Sequence, residues 1–308
     1  MMRAVPLALP LFLLLALPLV LPMGPYAGYV LDTGARIAIF GIAALSLDLL
    51  LGAGGLVSFG HAAFLAIGAY AVAILDANAL TDASIVVPVV LAASLAFSLP
   101  TGAVALRTRG VNFIMITLAF AQMVYFAAGS LADYGGDDGY TLSMRTKLLH
   151  LPLLATPRGF YAACLALLLG CFLFNQALLA SRFGRALRAI RQNRVRVQGL
   201  GIHPFAIQLT AIAISGMMAA LAGALLANAA EFVSPAYAAW QRSGDLLIMV
   251  ILGGAGSLHG AIFGAAAVVL TEEALGHVTE HWRILYGPLL VLAVIFFRGG
   301  LAGIGRRR

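Results

Sequence analysis

The chain has 308 residues, of which 62% are hydrophobic and only 10% charged, far below the roughly 25% charged of soluble domains. No water-soluble globule of this size can hide that much apolar surface, which excludes a soluble enzyme or binding module. The net charge of +7 would point to nucleic acid in a soluble protein. Here the basic residues lie in loops between apolar runs, where they set membrane topology, so no nucleic-acid partner is expected.

The expected fold is all-α, a polytopic membrane helix bundle in one domain over residues 1–308. In lipid, a helix of about 20 apolar residues is the natural unit. The 34 glycines and 12 prolines fit such helices, since small residues allow close helix approach. In chain order, apolar runs fall at 5–21, 37–51, 60–75, 85–105, 111–131, 159–181 and 206–229. Two shorter runs follow at 246–254 and 259–275, then a last one at 284–297, about ten segments in all. The first run follows Arg3 and has the length of a signal-peptide core. No small-x-small cleavage site precedes Tyr26 and another span starts soon after, so a retained helix is the expectation. The two cysteines, Cys164 and Cys171, share one apolar run and read as packing residues. Neither a metal-spaced His/Cys/Asp cluster nor a phosphate-cradling Gly-Lys-Ser/Thr loop occurs, so no metal site and no ATPase activity are expected of this chain.

Charge orients the bundle. With the N-terminus cytoplasmic and each run crossing once, Arg3, Arg107, Arg109, six arginines between 182 and 196, Arg298 and Arg306–Arg308 share the cytoplasmic side, 13 of the 19 basic residues. Arg36, Arg145, Lys147, Arg158, Arg242 and Arg283 fall outside, with every acid except Asp48. That asymmetry follows the positive-inside rule. It keeps Arg306–Arg308 inside only if 246–275 crosses twice or re-enters, turning at Gly253-Gly254-Ala255-Gly256-Ser257. Irregular backbone at membrane depth is tolerated where it is buried in protein or lines a watery path.

Two further segments carry functional signals. In the first, Gly52, Gly54, Gly55 and Gly60 break a helix between apolar halves, with Asp48, Ser58 and His61 bringing polar atoms close. Broken helices of this kind can line a solute path; an ordinary turn with a polar cap is the plainer reading. The expected path residues are Asp48, Gly52, Gly54, Gly55, Ser58, Gly60, His61, Gly253, Gly254, Gly256 and Ser257. The second segment is Gly184-Arg185-Ala186-Leu187-Arg188-Ala189-Ile190-Arg191-Gln192-Asn193-Arg194-Val195-Arg196-Val197-Gln198-Gly199-Leu200-Gly201-Ile202. Arg185, Arg188 and Arg191 step by three around Leu187 and Ile190, which predicts a short amphipathic helix ended by Gly199, Gly201 and Pro204. Such a loop can anchor topology, meet anionic lipid, or dock into a cytoplasmic partner.

These residues resemble a known family. Gly184 to Arg191 through Leu200-Gly201-Ile202 resembles the coupling loop of ABC-importer permeases for branched-chain amino acids. Ser58-Phe59-Gly60-His61-Ala62-Ala63-Phe64, with Gly68-Ala69-Tyr70, resembles the same family's early segment. So do Met249 to Gly260 and the ending from Gly287 to Gly300-Leu301-Ala302-Gly303. The outer loop with Gly135-Gly136-Asp137-Asp138-Gly139 looks more like the M-type than the H-type subunit, and Asp48 stands where the family often has Asn. The resemblance implies a multi-pass inner-membrane subunit with cytoplasmic termini, paired with a second permease subunit. It also implies two cytoplasmic ATPases, which would hold the ATP and Mg, and a periplasmic solute-binding protein. Arg185, Arg188 and Arg191 are then expected at the ATPase, and Asp133, Asp137 and Asp138 at the binding protein. Relatives carry branched-chain or other amino acids, urea and short amides, and no motif here selects among them. Two rival readings are an ion-coupled transporter using Asp48 and His61, and a non-transporting membrane scaffold or enzyme that recruits a soluble partner through the arginine loop.

Overall fold

A computed structural model describes residues 27–147, 154, 156–278, 286–288 and 300. The apolar run at 5–21, most of that at 284–297, and the basic residues Arg3, Arg283, Arg298 and Arg306–Arg308 lie outside the described residues. Helix α1 (Ala27–Asp48) runs into a π-helical segment, Leu49–Gly54. There follow α2 (His61–Ala77), α3 (Ala83–Ala105), α4 (Val111–Gly129), α5 (Pro157–Ala180) and two short helices, α6 (Arg182–Gln192) and α7 (Arg194–Gly199). The long α8 (Pro204–Ala230), then α9 (Trp240–Gly253) and α10 (Leu258–Val278), complete the described bundle. A two-residue strand pair, β1 (Tyr140–Thr141) with β2 (Phe232–Val233), is antiparallel with Tyr140 opposite Val233.

The all-α membrane bundle expected from composition is present. Six described helices are long and apolar enough to cross a membrane: α1 with its π segment, α3, α4, α5, α8 and α10. The shorter apolar α2 packs along α8. The continuous α1–π helix is the centre, with 94% of its apolar window buried against α5, α8, α9 and α10. By contrast only 17% of the α4 window is buried, and its outward face carries Val111, Met115, Met123 and Phe126. An apolar helix face turned outward is the pattern lipid permits and water does not.

Two helix limits differ from expectation. Helix α1 begins at Ala27, ten residues before the apolar run at 37, and α10 continues past the expected 275 to Val278. Arg36 donates to Glu273 at 2.9 Å, with Glu272 at 3.9 Å, so the charge just before the run at 37 is neutralised by acids on α10 and α1 can continue through it. The expected short pair at 246–275 is therefore unequal, 14 residues in α9 and 21 in α10. The two helices lie close because Gly253 faces the Gly260 backbone and Gly264 faces the Met249 carbonyl, where no side chain fits.

The loops fall into two groups at opposite ends of the bundle. At one end are the break at 55–60, the α6–α7 segment and the α9–α10 turn. At the other, the segment 131–147 binds the start of α3 and the end of α8: Ala83 N–H donates to the Lys147 carbonyl at 2.8 Å in a backbone bridge between Asp82 and Lys147, and Asn228 accepts from the Thr146 amide at 2.7 Å. The grouping is the one that charge parity requires for these segments.

Candidate functional site

The π segment is the first unusual piece. It ends at Gly55, whose φ of +68° is left-handed backbone suited to glycine. Its closing bonds run from Gly55 N–H to Leu51 O and from Leu56 N–H to Leu50 O. The Gly52 carbonyl instead accepts from the Arg191 guanidinium, which arrives from α6. One turn earlier, buried Asp48 accepts through Oδ1 from the Gly256 amide at 2.6 Å, in the α9–α10 turn. Gly52 is pressed between the Asp48 carboxylate and the Gly256 backbone, leaving no room for a Cβ. Gly300 packs onto Gly253 and Gly254 in the same way. Four separate glycine-bearing or arginine-bearing segments thus meet at one junction.

Helix α6 sits there because of its own sequence. Ser181 caps its start by accepting from Gly184 N–H at 3.4 Å. Gly184 lets the helix turn tightly against the Leu178–Leu179 backbone. Leu187 is fully buried among Leu49, Leu50, Ala53, Leu106, Phe113 and Ile212. The arginines stepping by three face helix ends: Arg185 donates to Ala180 O at 3.1 Å and Arg188 to Leu179 O at 2.8 Å, both at the end of α5. With Arg191 at Gly52 O, each cation satisfies a terminal carbonyl that its own helix leaves unpaired. Asn193 then caps α7 through Arg196 N–H at 2.9 Å. Val195 on α7 and Leu200 just past its end are 73% and 74% exposed, and Arg196 on α7 is exposed as well. Burial, and secondly Arg109 in the α3–α4 loop, hold Arg194 below the ordinary arginine range.

Ser58, Gly60 and His61 lie apart from that junction, around a cavity of about 30 Å³. Phe64, Phe97, Phe113 and Phe120 form its apolar wall, with Thr101 and Thr117 as further polar lining. Ser215 Oγ donates to the Ser46 carbonyl at 2.6 Å, so it accepts from His61 Nε2–H at 2.8 Å. Thr117 Oγ1 accepts the Phe59 amide at 3.1 Å, and Ser243 Oγ the Ala62 amide at 3.0 Å. Asp48 and His61, the pair that the ion-coupled alternative would use, have separate partners. Ser46, Thr117, Ser215 and Ser243 were not singled out from sequence; a lone hydroxyl inside an apolar run was their one signal. At the opposite end Asp133, Asp137 and Asp138 are exposed. Asp137 helps line a groove of about 610 Å³ with Tyr125, Phe126 and Ser130 from around the end of α4 and Ser234–Ala236 beyond β2. Among the described residues, no group of three or more His, Cys, Asp or Glu side chains could hold a metal.

Residues 29–294 match the family described as the permease component of branched-chain amino acid transport systems. The chain belongs to this permease family. The high-affinity branched-chain amino acid transport system permease protein LivM of Escherichia coli is 30% identical over 301 residues, 89% of this chain and 70% of LivM. LivM of Salmonella typhimurium is 29% identical over 299 residues, with the same coverage. The autoinducer 2 import system permease protein LsrC of Yersinia pseudotuberculosis is 30% identical over 234 residues, 68% of this chain and 63% of LsrC. No solved structure matches the chain. The matched region of this permease runs from the start of α1 past α10 and includes the glycine junction, the arginine helix and the His61 cavity.

Proposed function

We propose that this permease forms the solute path of an ATP-driven importer for branched-chain amino acids or a similarly small polar solute. The carrying observation is the bolting of a six-arginine segment to the central helix, Arg191 to Gly52 O, while Val195 and Leu200 stay bare on the adjoining turn. A loop that only anchored topology needs neither. In this reading the arginine end is cytoplasmic, both termini are cytoplasmic, and α6–α7 meets one of two ATPase subunits that hold ATP and Mg. A second permease subunit packs beside this chain in the inner membrane. A periplasmic binding protein delivers solute over the opposite end, where Asp133, Asp137 and Asp138 are exposed beside the groove. The path runs past Ser58, Gly60 and His61. Its cavity of about 30 Å³ admits only a water or two, so this conformation is closed there.

The test is leucine uptake into proteoliposomes holding the assembled importer, with binding protein outside and ATP accessible to the ATPases. Uptake should require both ATP and binding protein. Uptake that follows a proton gradient and ignores ATP depletion would overturn the proposal in favour of ion coupling. Replacing bare docking residues, Val195→Asp with Arg196→Glu, should remove most of the ATPase subunits from the purified complex while membrane insertion persists. Full ATPase retention would leave α7 without the assigned role.

A further inference from the structure

Within the reading of α6–α7 as the ATPase-facing element, the junction assigns work to two side chains. The route begins at α6. Its Arg185 and Arg188 hold the end of α5, and of the three Arg191 alone reaches the π segment that continues α1, at Gly52 O. Gly52 lies in the π segment, the one stretch of the central helix without α-helical spacing. Wider π turns interrupt the regular hydrogen-bond ladder and give a helix a place to yield. One turn back, Asp48 Oδ1 takes the Gly256 amide at 2.6 Å. Gly256 has φ +87° and belongs to the turn between α9 and α10, on which Gly300 also packs. The contacts at Gly52 leave no slack between these links.

We infer that Arg191 and Asp48 are positioning residues acting in series, Arg191 tying the arginine helix to the central helix and Asp48 tying that helix to the α9–α10 turn. A displacement of α6 moves Gly52, and through Asp48 it moves Gly256. Arg191 therefore works inward, toward its own chain, and the cytoplasmic partner is met by α7. Packing alone cannot supply the directionality, because both links are single hydrogen bonds to backbone groups with defined donors and acceptors.

The assembled importer in proteoliposomes tests this through leucine taken up per ATP hydrolysed. Asp48→Ala and Arg191→Ala should each lower that ratio at least tenfold. Asp48→Asn keeps an oxygen acceptor and Arg191→Lys keeps a cationic donor, and both should stay within about threefold of wild type. Because the links are in series, the double alanine variant should be no worse than the worse single variant. Uptake and ATP hydrolysis falling together at constant ratio, or single effects that multiply, would overturn the inference. A second measurement needs no variant. Trapping the wild-type importer with ATP and vanadate should change hydrogen exchange in 49–56, 186–192 and 252–258 together, and a change confined to 186–192 would sink the series arrangement. If the wild-type importer takes up no leucine, the solute assignment fails, and the exchange experiment still decides the joint.

Discussion

The two ends of the bundle satisfy their loose backbone groups by opposite means. At the arginine end, one amphipathic helix sends three long cations to the carbonyl ends of two other helices, and Asp48 reaches a third element. At the other end the reaching is done by the loop, through many short links. Asp76 accepts from Ser143 N–H at 2.8 Å and Tyr140 O–H at 3.3 Å, and Leu142 N–H bonds Glu231 O at 2.9 Å. Arg145 pairs with Glu231 at 2.7 Å and lies 5.2 Å over the Phe160 ring. Links in parallel share a load, so losing one loosens a patch. Links in series fail as a whole. The arginine end is linked in series, as the proposed coupling role requires, and the opposite end is linked in parallel.

Gly52→Ala should break this contrast hardest. Its Cβ would meet the Asp48 carboxylate and the Gly256 backbone, and overpacking of that kind typically costs about 1–3 kcal/mol. The Asp48 carboxylate is held by its bond to the Gly256 amide and the other neighbour is backbone, so relief requires breaking that bond or moving the π segment or the turn. Coupled uptake should fall more than tenfold, read as leucine transport per purified complex. The control is Gly170→Ala on α5, which has no atoms within 4 Å of a new Cβ and should leave uptake unchanged. Equal effects at the two glycines would remove the argument for a tight junction.

Asp76→Ala ranks second. It leaves the Ser143 amide and the Tyr140 hydroxyl unpartnered, at about 1–3 kcal/mol for a buried group. The loss should stay local: trypsin should cut faster at Arg145 and Lys147, with leucine per ATP unchanged. A drop in that ratio as large as for Gly52→Ala would show that the parallel-linked end is part of the coupling.

Much of this arrangement was legible in the chain, and the illegible part has a common cause. Glycine spacing marked the break at 52–60 and the turn at 253–257, and arginine spacing marked α6, because each pattern reports a local backbone requirement. The meeting of all three was hidden, since the acceptors of Arg185, Arg188 and Arg191 are main-chain carbonyls, which every residue possesses. Spacing alone points those arginines at a partner, and the structure adds acceptors for them within the chain. The early start of α1 was obscured by Arg36, whose charge looks like a loop residue until Glu273 is placed beside it from 237 positions away. The rival ion-coupled reading needs His61 and Asp48 as a pair, yet the bend at Gly55 sends one to Ser215 and the other to Gly256.

The smallest effect is expected at Glu231, and its sign sharpens the comparison. Its side chain is 54% exposed, and an exposed ion pair contributes about 0–1 kcal/mol. The Arg145 guanidinium also lies over the Phe160 ring, so it keeps a partner when the carboxylate is lost. Glu231→Gln should therefore lower stability in detergent by less than about 1 kcal/mol, and that difference should shrink in high salt as screening removes what the pair contributed. Glu231 also sits at φ +53°, left-handed backbone at the end of α8. Glu231→Gly loses the ion pair but relieves a conformation costing about 1–2 kcal/mol for a residue with a Cβ. The two terms oppose, so the glycine variant should match or exceed the glutamine variant in thermal stability. A glycine variant clearly weaker than the glutamine variant would mean that the turn after α8 depends on its side chain, and that this end is less redundant than its many parallel links imply.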